Sequence, residues 1–348
     1  MNAEAKQELT KIDLYDFNIF TLRKQTNGNE LKVLLPFILN KRGLIGATPL
    51  NFNRLLSFCG ALQSGYKNIT YHNKTHASDL CQTFNYFMVK GNLQEKMQMD
   101  NVEVISCLVA AMMHDYEHPG VNNPFLININ DPKAIRHNDV SVLENHHLAA
   151  SFELMIQNDE NNWAHQFDKA DFKRIREIII KTVLATDMAQ HFSELGILNG
   201  RVPARDFDPK TGKDKSLMMK FIFHMSDISN PTKNFDVCRL WCDLLFVEFF
   251  AQGDLEAEYG FDISQFYDRK TTNIAKSQIG FIDIIIKPAY IAVIKAVPEL
   301  GHLENAIEDN KKCWTGLLTN MRRKRRREIS RRILSKSSSS SLMRISWR

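Results

Sequence analysis

The sequence contains few of the residues that interrupt helices. It has 15 glycines and 10 prolines among 348 residues, below the usual shares of about 7% and 5%. Because the many turns of β-sandwiches and barrels depend on these two residues, their scarcity disfavours such folds. The composition therefore favours long helices over a turn-rich β architecture.

Cysteine is too scattered to indicate a site. The six cysteines stand at positions 59, 81, 107, 238, 242 and 313, and no two of them form a Cys-x-x-Cys pair. Small thiols of this kind usually serve as buried apolar residues in proteins from reducing compartments. We therefore expect reduced, buried cysteines and neither disulfides nor a zinc–thiolate site.

Long hydrophobic runs are absent as well. No stretch approaches the roughly 18 uninterrupted apolar residues of a membrane span. The N-terminal sequence "MNAEAKQELTKIDLYDF" lacks the apolar segment of a signal peptide. On these grounds we expect a soluble cytoplasmic protein.

Charge is unevenly distributed along the chain. Residues 321–348 contain eleven lysines and arginines against one glutamate, a net charge of +10, whereas residues 1–320 carry 34 basic and 39 acidic side chains, a net charge of −5. A basic, serine-rich segment cannot build a core, so we predict a disordered tail over 311–348. Its basic block could contact an anionic membrane surface, a nucleic acid or a nuclear import receptor, and a solvated extension is an equally good interpretation.

Helical periodicity recurs along most of the chain. Segments such as "VEVISCLVAAMM" and "RIREIIIKTVLA" place apolar residues three and four positions apart. Strand-like alternation is scarce, and no shift in composition divides the sequence before about residue 310. We predict one compact all-α domain over residues 15–310, preceded by a polar lead over residues 1–14.

A polar cluster directly follows the most apolar helical segment. The sequence "LVAAMMHDYEHPGVNNPF" at 108–125 places His114, Asp115 and His118 just before a Pro-Gly break. Adjacent residues on a helix point about 100° apart, so two neighbouring metal ligands fit best at a helix end. Histidine with carboxylate suits Zn²⁺, and carboxylate with water suits Mg²⁺ or Mn²⁺. An aspartate between two such ions would create a two-metal site.

Further polar groups occupy the ends of other apolar segments. A buried aspartate is costly without a partner, so several such groups in one domain indicate a compensating charge. We therefore predict that they converge on a deep pocket that holds metal ions. The groups are His72 with His76, Glu144 with His146 and His147, Thr186 with Asp187, and His224 with Asp227. His72 and His76 stand four residues apart, so we expect them to lie one turn apart on the same helix face.

Seven short motifs together resemble the catalytic domain of the class I 3′,5′-cyclic nucleotide phosphodiesterases. "HDYEHPGVNNPF" fits the family signature H-D-x-x-H-x-G-x-x-N, and "YHNKTHASD", "SVLENHH", "LATDM", "SDISNPTK", "EFFAQGD" and "KSQIGFID" occur in the family's order. The resemblance extends from about residue 15 to about residue 300. Within the family, the chain is most similar to the cAMP-specific and calmodulin-stimulated branches.

The resemblance implies the HD-type all-α fold and a metal centre at the matching positions. His76, His114, Asp115 and Asp227 would hold a tightly bound Zn²⁺, and Asp115 would bridge to a second ion, Mg²⁺ or Mn²⁺. His72 would be the general acid, with Glu144 as its partner. The residues His118, Glu144 and Thr186 would organise water around the second ion.

The resemblance also implies a substrate pocket. Gln278 would hydrogen-bond the purine, Phe281 would stack on one face of the base, and Leu245 would close the other face. Tyr71 and Asn230 would help to line the pocket. Because Asn230 is typical of the cAMP-selective branch, the resemblance favours cAMP and allows cGMP.

The implied activity is metal-dependent hydrolysis of a 3′,5′-cyclic nucleotide to the 5′-monophosphate, which would end a cyclic nucleotide signal. Water activated by two cations would be the nucleophile, and His72 would protonate the departing 3′ oxygen. Two alternatives are another HD-type phosphohydrolase and a non-catalytic nucleotide-binding protein anchored by its basic tail. Both are disfavoured by the complete set of predicted ligands together with the intact "KSQIGFID" motif.

Overall fold

The described part of the chain is helical throughout. A computed structural model describes residues 3–320 and residue 323, and within these residues it contains no β-strand. The prediction of an all-α fold is confirmed. The α-helices are α1 (Ala3–Thr10), α2 (Ile19–Gln25), α3 (Glu30–Lys41), α4 (Phe52–Gly65), α5 (Lys74–Lys90), α6 (Leu93–Lys96), α7 (Asn101–Met113), α8 (Asn123–Asn128), α9 (Pro132–Arg136), α10 (Val142–Ile156), α11 (Lys169–Leu184), α12 (His191–Arg201), α13 (Gly212–Asp227), α14 (Phe235–Glu258), α15 (Ile274–Phe281) and α16 (Lys287–Ala296), followed by α17 (302–320).

Short helical turns of other types connect these helices. Four 3₁₀ turns cover Asp159–Asn161, Met188–Gln190, Asn230–Thr232 and Pro298–Leu300, and a π-helical turn covers Ile282–Ile286 between α15 and α16. Pro288 follows that π turn, and proline cannot donate the usual backbone hydrogen bond within a helix. The change of helix type at this point is consistent with that missing donor.

Helix α7 lies at the centre of the hydrophobic core. It packs against α11, α5, α3, α4 and α10, and residues 104–113 are all buried. Its start is fixed by a capping box, in which Asp100 Oδ1 accepts from the Glu103 backbone N–H and Glu103 Oε2 accepts from the Asp100 backbone N–H, each at 2.9 Å. The capping box and the surrounding helices therefore fix the position of α7, and its C-terminal end places His114 inside the core.

The folded region extends beyond both predicted boundaries. Within the lead predicted over 1–14, Ala3–Thr10 forms α1, whose Ala5 and Leu9 are buried in the main core. At the other end, residues 311–320 belong to α17 and are not disordered. There Trp314 is 3% exposed and packs edge-on against Phe235, with 5.2 Å between ring centroids. Burial of these apolar side chains stabilises both ends against the core.

Three further expectations have different outcomes. The predictions for the tail over 321–348 lie outside the described residues, apart from residue 323. None of the described helices combines the length and apolar character that a bilayer crossing needs. All six cysteines are free thiols, as expected, and five are buried, whereas Cys313 is exposed.

The turn before α5 departs from the predicted helix. Asn73 has an extended backbone, with φ −127° and ψ 179°, and its side chain accepts from the Thr75 N–H at 2.8 Å. This is an N-cap, which starts the helix after His72. The expectation that His72 and His76 share one helical turn is therefore wrong. His72 lies in the preceding turn, from which it can face a different partner.

Candidate active site

Four side chains from three helices converge at the centre of the fold. His76 lies in α5, His114 and Asp115 follow α7, and Asp227 ends α13. His76 Nε2 lies 2.8 Å from Asp227 Oδ1 and 3.5 Å from Asp115 Oδ2. His114 Nε2 lies 3.0 Å from Asp115 Oδ2 and 3.3 Å from Asp227 Oδ1. The structure thus brings together all four residues that the sequence predicts as ligands of the tight metal.

The orientation of His114 is set by the backbone. Its Nδ1 lies 2.9 Å from the Ala111 carbonyl oxygen, to which it can only donate. The neutral ring then carries no proton on Nε2, which is the nitrogen that faces Asp115 and Asp227. A hydrogen bond of this type is the usual way in which a metal-binding histidine is held.

The donor set fits a divalent cation. Ligand bonds of about 2.0–2.2 Å to one ion place neighbouring ligand atoms about 3 Å apart, which agrees with the four distances above. His114 Nε2 and Asp115 Oδ2 are also buried without a hydrogen-bond partner, which is costly unless a ligand satisfies them. Among the described residues, no lysine or arginine forms an ion pair with Asp115 or Asp227. Two nitrogens and two carboxylates with these properties suit Zn²⁺.

Asp115 faces a second group of possible ligands. Its other oxygen, Oδ1, lies 3.8 Å from His147 Nε2. Asp115, His118 and His147 form a second cluster whose ligand atoms all lie within 4.8 Å of one another. Asp115 thus stands between two clusters of potential metal ligands.

The charges at this centre depend strongly on one another. Burial alone would raise the pKa of the Asp227 carboxyl, but His114 and His76 hold it well below its usual range. Burial alone would lower the pKa of His114, but Asp115 and Asp227 raise it well above its usual range. Positive charge beside the two carboxylates is therefore strongly favoured, whether it comes from protons or from a cation.

His72 is held by a glutamate that the sequence analysis does not assign. Its Nδ1 lies 2.7 Å from Glu248 Oε2, and Glu248 Oε1 accepts the backbone N–H groups of Tyr71 at 2.5 Å and His72 at 3.0 Å. The prediction that Glu144 is the partner of His72 is wrong. Glu144 instead accepts from Asn123 Nδ2 at 3.0 Å, and burial, together with the charge of Asp187, raises its pKa to about 7.

The other residues predicted to surround the metal ions lie close to this centre. The ring of His118 stacks on His72, with 4.1 Å between centroids, and its Nδ1 accepts the Gly120 N–H at 3.0 Å. Thr186 is buried and donates its hydroxyl to the Val183 carbonyl at 2.7 Å. The neighbouring Asp187 accepts from Ser141 at 2.7 Å.

Tyr71 connects the histidines to the predicted substrate pocket. Its ring lies against His72 and His76, with 4.7 Å between centroids in both cases. Its hydroxyl accepts from Asn230 Nδ2 at 2.7 Å, and within the part of the chain that the structure describes Asn230 Oδ1 accepts no hydrogen bond. Tyr71 and Asn230 therefore lie beside the candidate metal centre.

The remaining pocket residues lie on α14 and α15. Leu245 is three residues before Glu248, so the two side chains share one face of α14. Gln278 and Phe281 stand three residues apart on α15 and likewise share a face. Among the described residues, no hydrogen bond or ring contact joins Gln278, Phe281 or Leu245 directly to the histidine–aspartate cluster.

Glu248 and His147 belong to the site, although the sequence predicts no individual role for either residue. Glu248 is an acidic residue within the apolar run "LLFVEFF", and a buried carboxylate in such a run is a signal for a partner. His147 Nδ1 donates to the Tyr116 carbonyl at 2.5 Å, and burial lowers the pKa of this histidine to about 3. Its neutral Nε2 is thus available toward Asp115.

Comparison with known proteins agrees with this geometry. Residues 71–307 match the family model described as 3′5′-cyclic nucleotide phosphodiesterase. The chain is 37% identical over 306 residues to the dual specificity calcium/calmodulin-dependent 3′,5′-cyclic nucleotide phosphodiesterase 1B of Mus musculus, covering 87% of this chain and 55% of the relative. It is also 37% identical over 287 residues to the corresponding protein 1C of Homo sapiens, covering 82% of this chain and 39% of the relative. The chain therefore spans about half the length, or less, of the curated relatives it matches.

The family model covers more than half of the chain, including all four candidate ligands of the tight metal, His72 and Gln278. The chain belongs to the 3′5′-cyclic nucleotide phosphodiesterase family.

Proposed function

We propose that the chain hydrolyses 3′,5′-cyclic nucleotides to 5′-monophosphates, with cAMP favoured and cGMP accepted, and so ends a cyclic nucleotide signal. The observation that carries the proposal is the position of His72. It stands beside the candidate metal ligands, and one of its ring nitrogens is fixed by Glu248 at 2.7 Å. A hydrolase needs a positioned proton donor next to its site of charge stabilisation, and this pair supplies one.

His72 is suited to donate a proton at Nε2. Its Nδ1 is engaged by Glu248, and its side chain is 25% exposed, so Nε2 is the nitrogen that a substrate can reach. Burial alone would lower the pKa of His72, but the hydrogen bond to Glu248 and the charges of Asp115 and Glu248 raise it. This shift favours the protonated imidazolium. Protonating the 3′ oxygen makes it a better leaving group.

His76, His114, Asp115 and Asp227 would hold Zn²⁺, and Asp115 would share a second ion, Mg²⁺ or Mn²⁺. When bound, the ions supply positive charge against the phosphate and activate water for attack. His118, Glu144 and Thr186 would hydrogen-bond the water at the second ion. The metal-binding roles are supported by two clusters of potential ligands, His76–His114–Asp227 and Asp115–His118–His147.

Recognition of the base would fall to Gln278, Phe281 and Leu245. Among the described residues, the Gln278 side-chain amide makes no hydrogen bond, although it is largely buried. An amide that is free to turn can offer a donor and an acceptor to either purine. The relatives are named dual specificity enzymes, which supports acceptance of both cyclic nucleotides. Asn230, with its free Oδ1 acceptor, supports the preference for cAMP.

The direct test is hydrolysis by the purified chain. We expect turnover of cAMP and, more slowly, of cGMP, with no turnover of a linear dinucleotide. EDTA should abolish turnover, and Zn²⁺ with Mg²⁺ should restore it, because bound ions would supply positive charge against the phosphate and activate the attacking water. Product analysis by chromatography distinguishes the 5′-monophosphate from the 3′ isomer. Turnover of the linear dinucleotide alone would instead support a different HD-type phosphohydrolase.

Replacing Gln278 by alanine should weaken recognition of the base. A bidentate amide–base contact contributes about 1–3 kcal/mol, so kcat/KM should fall by about 5- to 150-fold for both cyclic nucleotides. The loss should appear mainly in KM, because the amide contacts the base and not the phosphate.

The matched control for this variant is Gln166→Ala, since Gln166 is exposed. Bound metal, measured by elemental analysis, should be the same in both variants and in the unmodified chain. An unchanged KM in Gln278→Ala would remove this residue from the base-recognition site.

A further inference from the structure

The loop over residues 259–273, between α14 and α15, lies tightly against α14. A Cβ atom placed on Gly253 would lie 2.1 Å from the carbonyl oxygen of Tyr267, so only glycine allows this approach. Within the loop, Phe266 has a φ of 75°, a left-handed conformation that is unfavourable for a bulky residue. Such a conformation persists only where surrounding contacts hold it.

A buried carboxylate holds the loop two residues before Phe266. Glu256 is 4% exposed, and its Oε2 accepts the Ser264 backbone N–H at 2.7 Å. Its Oε1 accepts the Ser264 hydroxyl at 2.7 Å and Gln252 Nε2 at 2.8 Å. Among the described residues, Glu256 has no ion-pair partner, so neutral donors alone satisfy it. An anion held in this way fixes the positions of its donors closely, because losing any of them is costly.

Gln252 carries this network to the segment that follows His118. Its side chain is 1% exposed, and its Oε1 accepts the Asn122 backbone N–H at 2.9 Å while its Nε2 donates to Asn122 Oδ1 at 3.0 Å. Asn122 also accepts from the Phe125 N–H at 3.0 Å and so caps α8. Both ends of the Gln252 amide are therefore engaged by a residue four positions after His118.

Tyr267 closes the network from the loop side. Asn122 Nδ2 lies 3.2 Å from its hydroxyl, and its ring stacks on Phe249, with 4.2 Å between centroids and 14° between planes. The loop is thus joined to the 118–122 segment both through Gln252 and directly. We call Asn122, Gln252, Glu256, Ser264 and Tyr267 the loop clamp.

We infer that the loop clamp positions the base-binding side of the pocket relative to the metal-binding side. The 118–122 segment begins with His118, which belongs to the second candidate ligand cluster. The 259–273 loop leads directly into α15, which carries Gln278 and Phe281. The clamp is a set of polar contacts between these two parts of the chain. This inference rests on the proposed function. The members of the loop clamp are positioning residues that do not touch the reacting atoms.

The test uses two conservative variants, Tyr267→Phe and Ser264→Ala. Each removes one hydroxyl and leaves the ring stacking or the backbone hydrogen bond in place. Losing one neutral hydrogen bond changes an equilibrium by about 2- to 10-fold, and losing one to a charged group by about 10- to 150-fold. We therefore expect KM for cAMP to rise by about 2- to 10-fold in Tyr267→Phe and by up to about 150-fold in Ser264→Ala. We expect kcat and bound metal to remain close to those of the unmodified chain, because the metal ligands are untouched. Tyr259→Phe is the matched control, since Tyr259 is 57% exposed and its hydroxyl makes no hydrogen bond among the described residues.

A second readout does not depend on activity. In Tyr267→Phe, amide hydrogen exchange should become faster both in the 259–273 loop and in residues 118–128, because the clamp joins them. Faster exchange in the loop alone, or an unchanged KM in both variants, would overturn the inference. If the unmodified chain hydrolyses no cyclic nucleotide, the proposed function fails, and the exchange experiment still decides whether the clamp couples the two segments.

Discussion

Replacing His72 by glutamine should lower kcat by about 10²- to 10⁴-fold, the usual contribution of a general acid. Glutamine can still contact Glu248, but it cannot deliver a proton to the leaving oxygen. The metal ligands His76 and Asp227 do not depend on this side chain, so bound zinc should be retained. Steady-state kinetics with cAMP and elemental analysis of the same sample measure the two quantities together. The matched control is His165→Gln, because His165 is exposed and contacts only the backbone of Asn162.

The pH profile separates loss of the acid from a general structural effect. Glu248 raises the pKa of His72 against the opposing effect of burial, so the protonated acid should persist to higher pH than in a free histidine, and kcat should fall as pH rises through that raised pKa. In Glu248→Gln the anionic partner is lost, and the alkaline limb should move to lower pH. A His72→Gln enzyme that keeps most of its kcat, or a Glu248→Gln enzyme with an unmoved alkaline limb, would contradict the assignment of this pair.

Replacing Asp227 by asparagine should remove the tightly bound metal and, with it, activity. Residues that merely orient metal ligands typically contribute about 10- to 100-fold in metal affinity, so loss of a direct ligand should cost more than that. The amide has the shape of the carboxylate but lacks its charge, which His76 and His114 face at 2.8 and 3.3 Å. Metal content after gel filtration, together with cAMP turnover, measures the effect.

Asp254→Asn is the matched control for this variant. Asp254 is also an aspartate in an ion pair, but it lies on the surface of α14 and pairs with Arg269. Its replacement should leave zinc and turnover unchanged, since exposed ion pairs contribute little. If Asp227→Asn retained both zinc and activity, Asp227 would not be a ligand.

The metal centre could be predicted from the sequence because its signals are local. Adjacent His114 and Asp115 end an apolar run, and each remaining ligand stands in a short polar group of its own. The residue types alone indicate cation binding, and their order along the chain indicates the family. The structure then brings the four side chains together as expected.

Other parts of the site depend on contacts that a local pattern does not contain. The bond between His72 and Glu248 joins residues 176 positions apart and requires α14 to pack over the turn before α5. The family resemblance implied Glu144 as the partner of His72, and Glu144 stands in a polar group with two histidines, whereas Glu248 stands among apolar residues. A buried acid inside an apolar helix is nevertheless a usable signal, because it must have a partner.

The ends of the fold illustrate a similar difficulty. The first fourteen residues are mostly polar, yet Ala5, Leu9 and Ile12 follow the spacing of a helix face and are fully buried. In α17, Trp314 closely follows the polar run "EDNKK", and its burial against Phe235 became visible only in three dimensions. Average composition conceals such short apolar faces.

The convergence of α5, α7 and α13 has a consequence for the lifetime of the protein. Their ligands are separated by up to 151 positions along the chain (His76 to Asp227) and form one set only after folding. An ion bound there would therefore stabilise the folded state relative to the unfolded chain. By mass action, free metal at one hundred times its dissociation constant adds about 2.7 kcal/mol to the free energy of unfolding. The melting temperature should then rise with the concentration of free metal, and a metal-depleted cell would degrade this chain sooner.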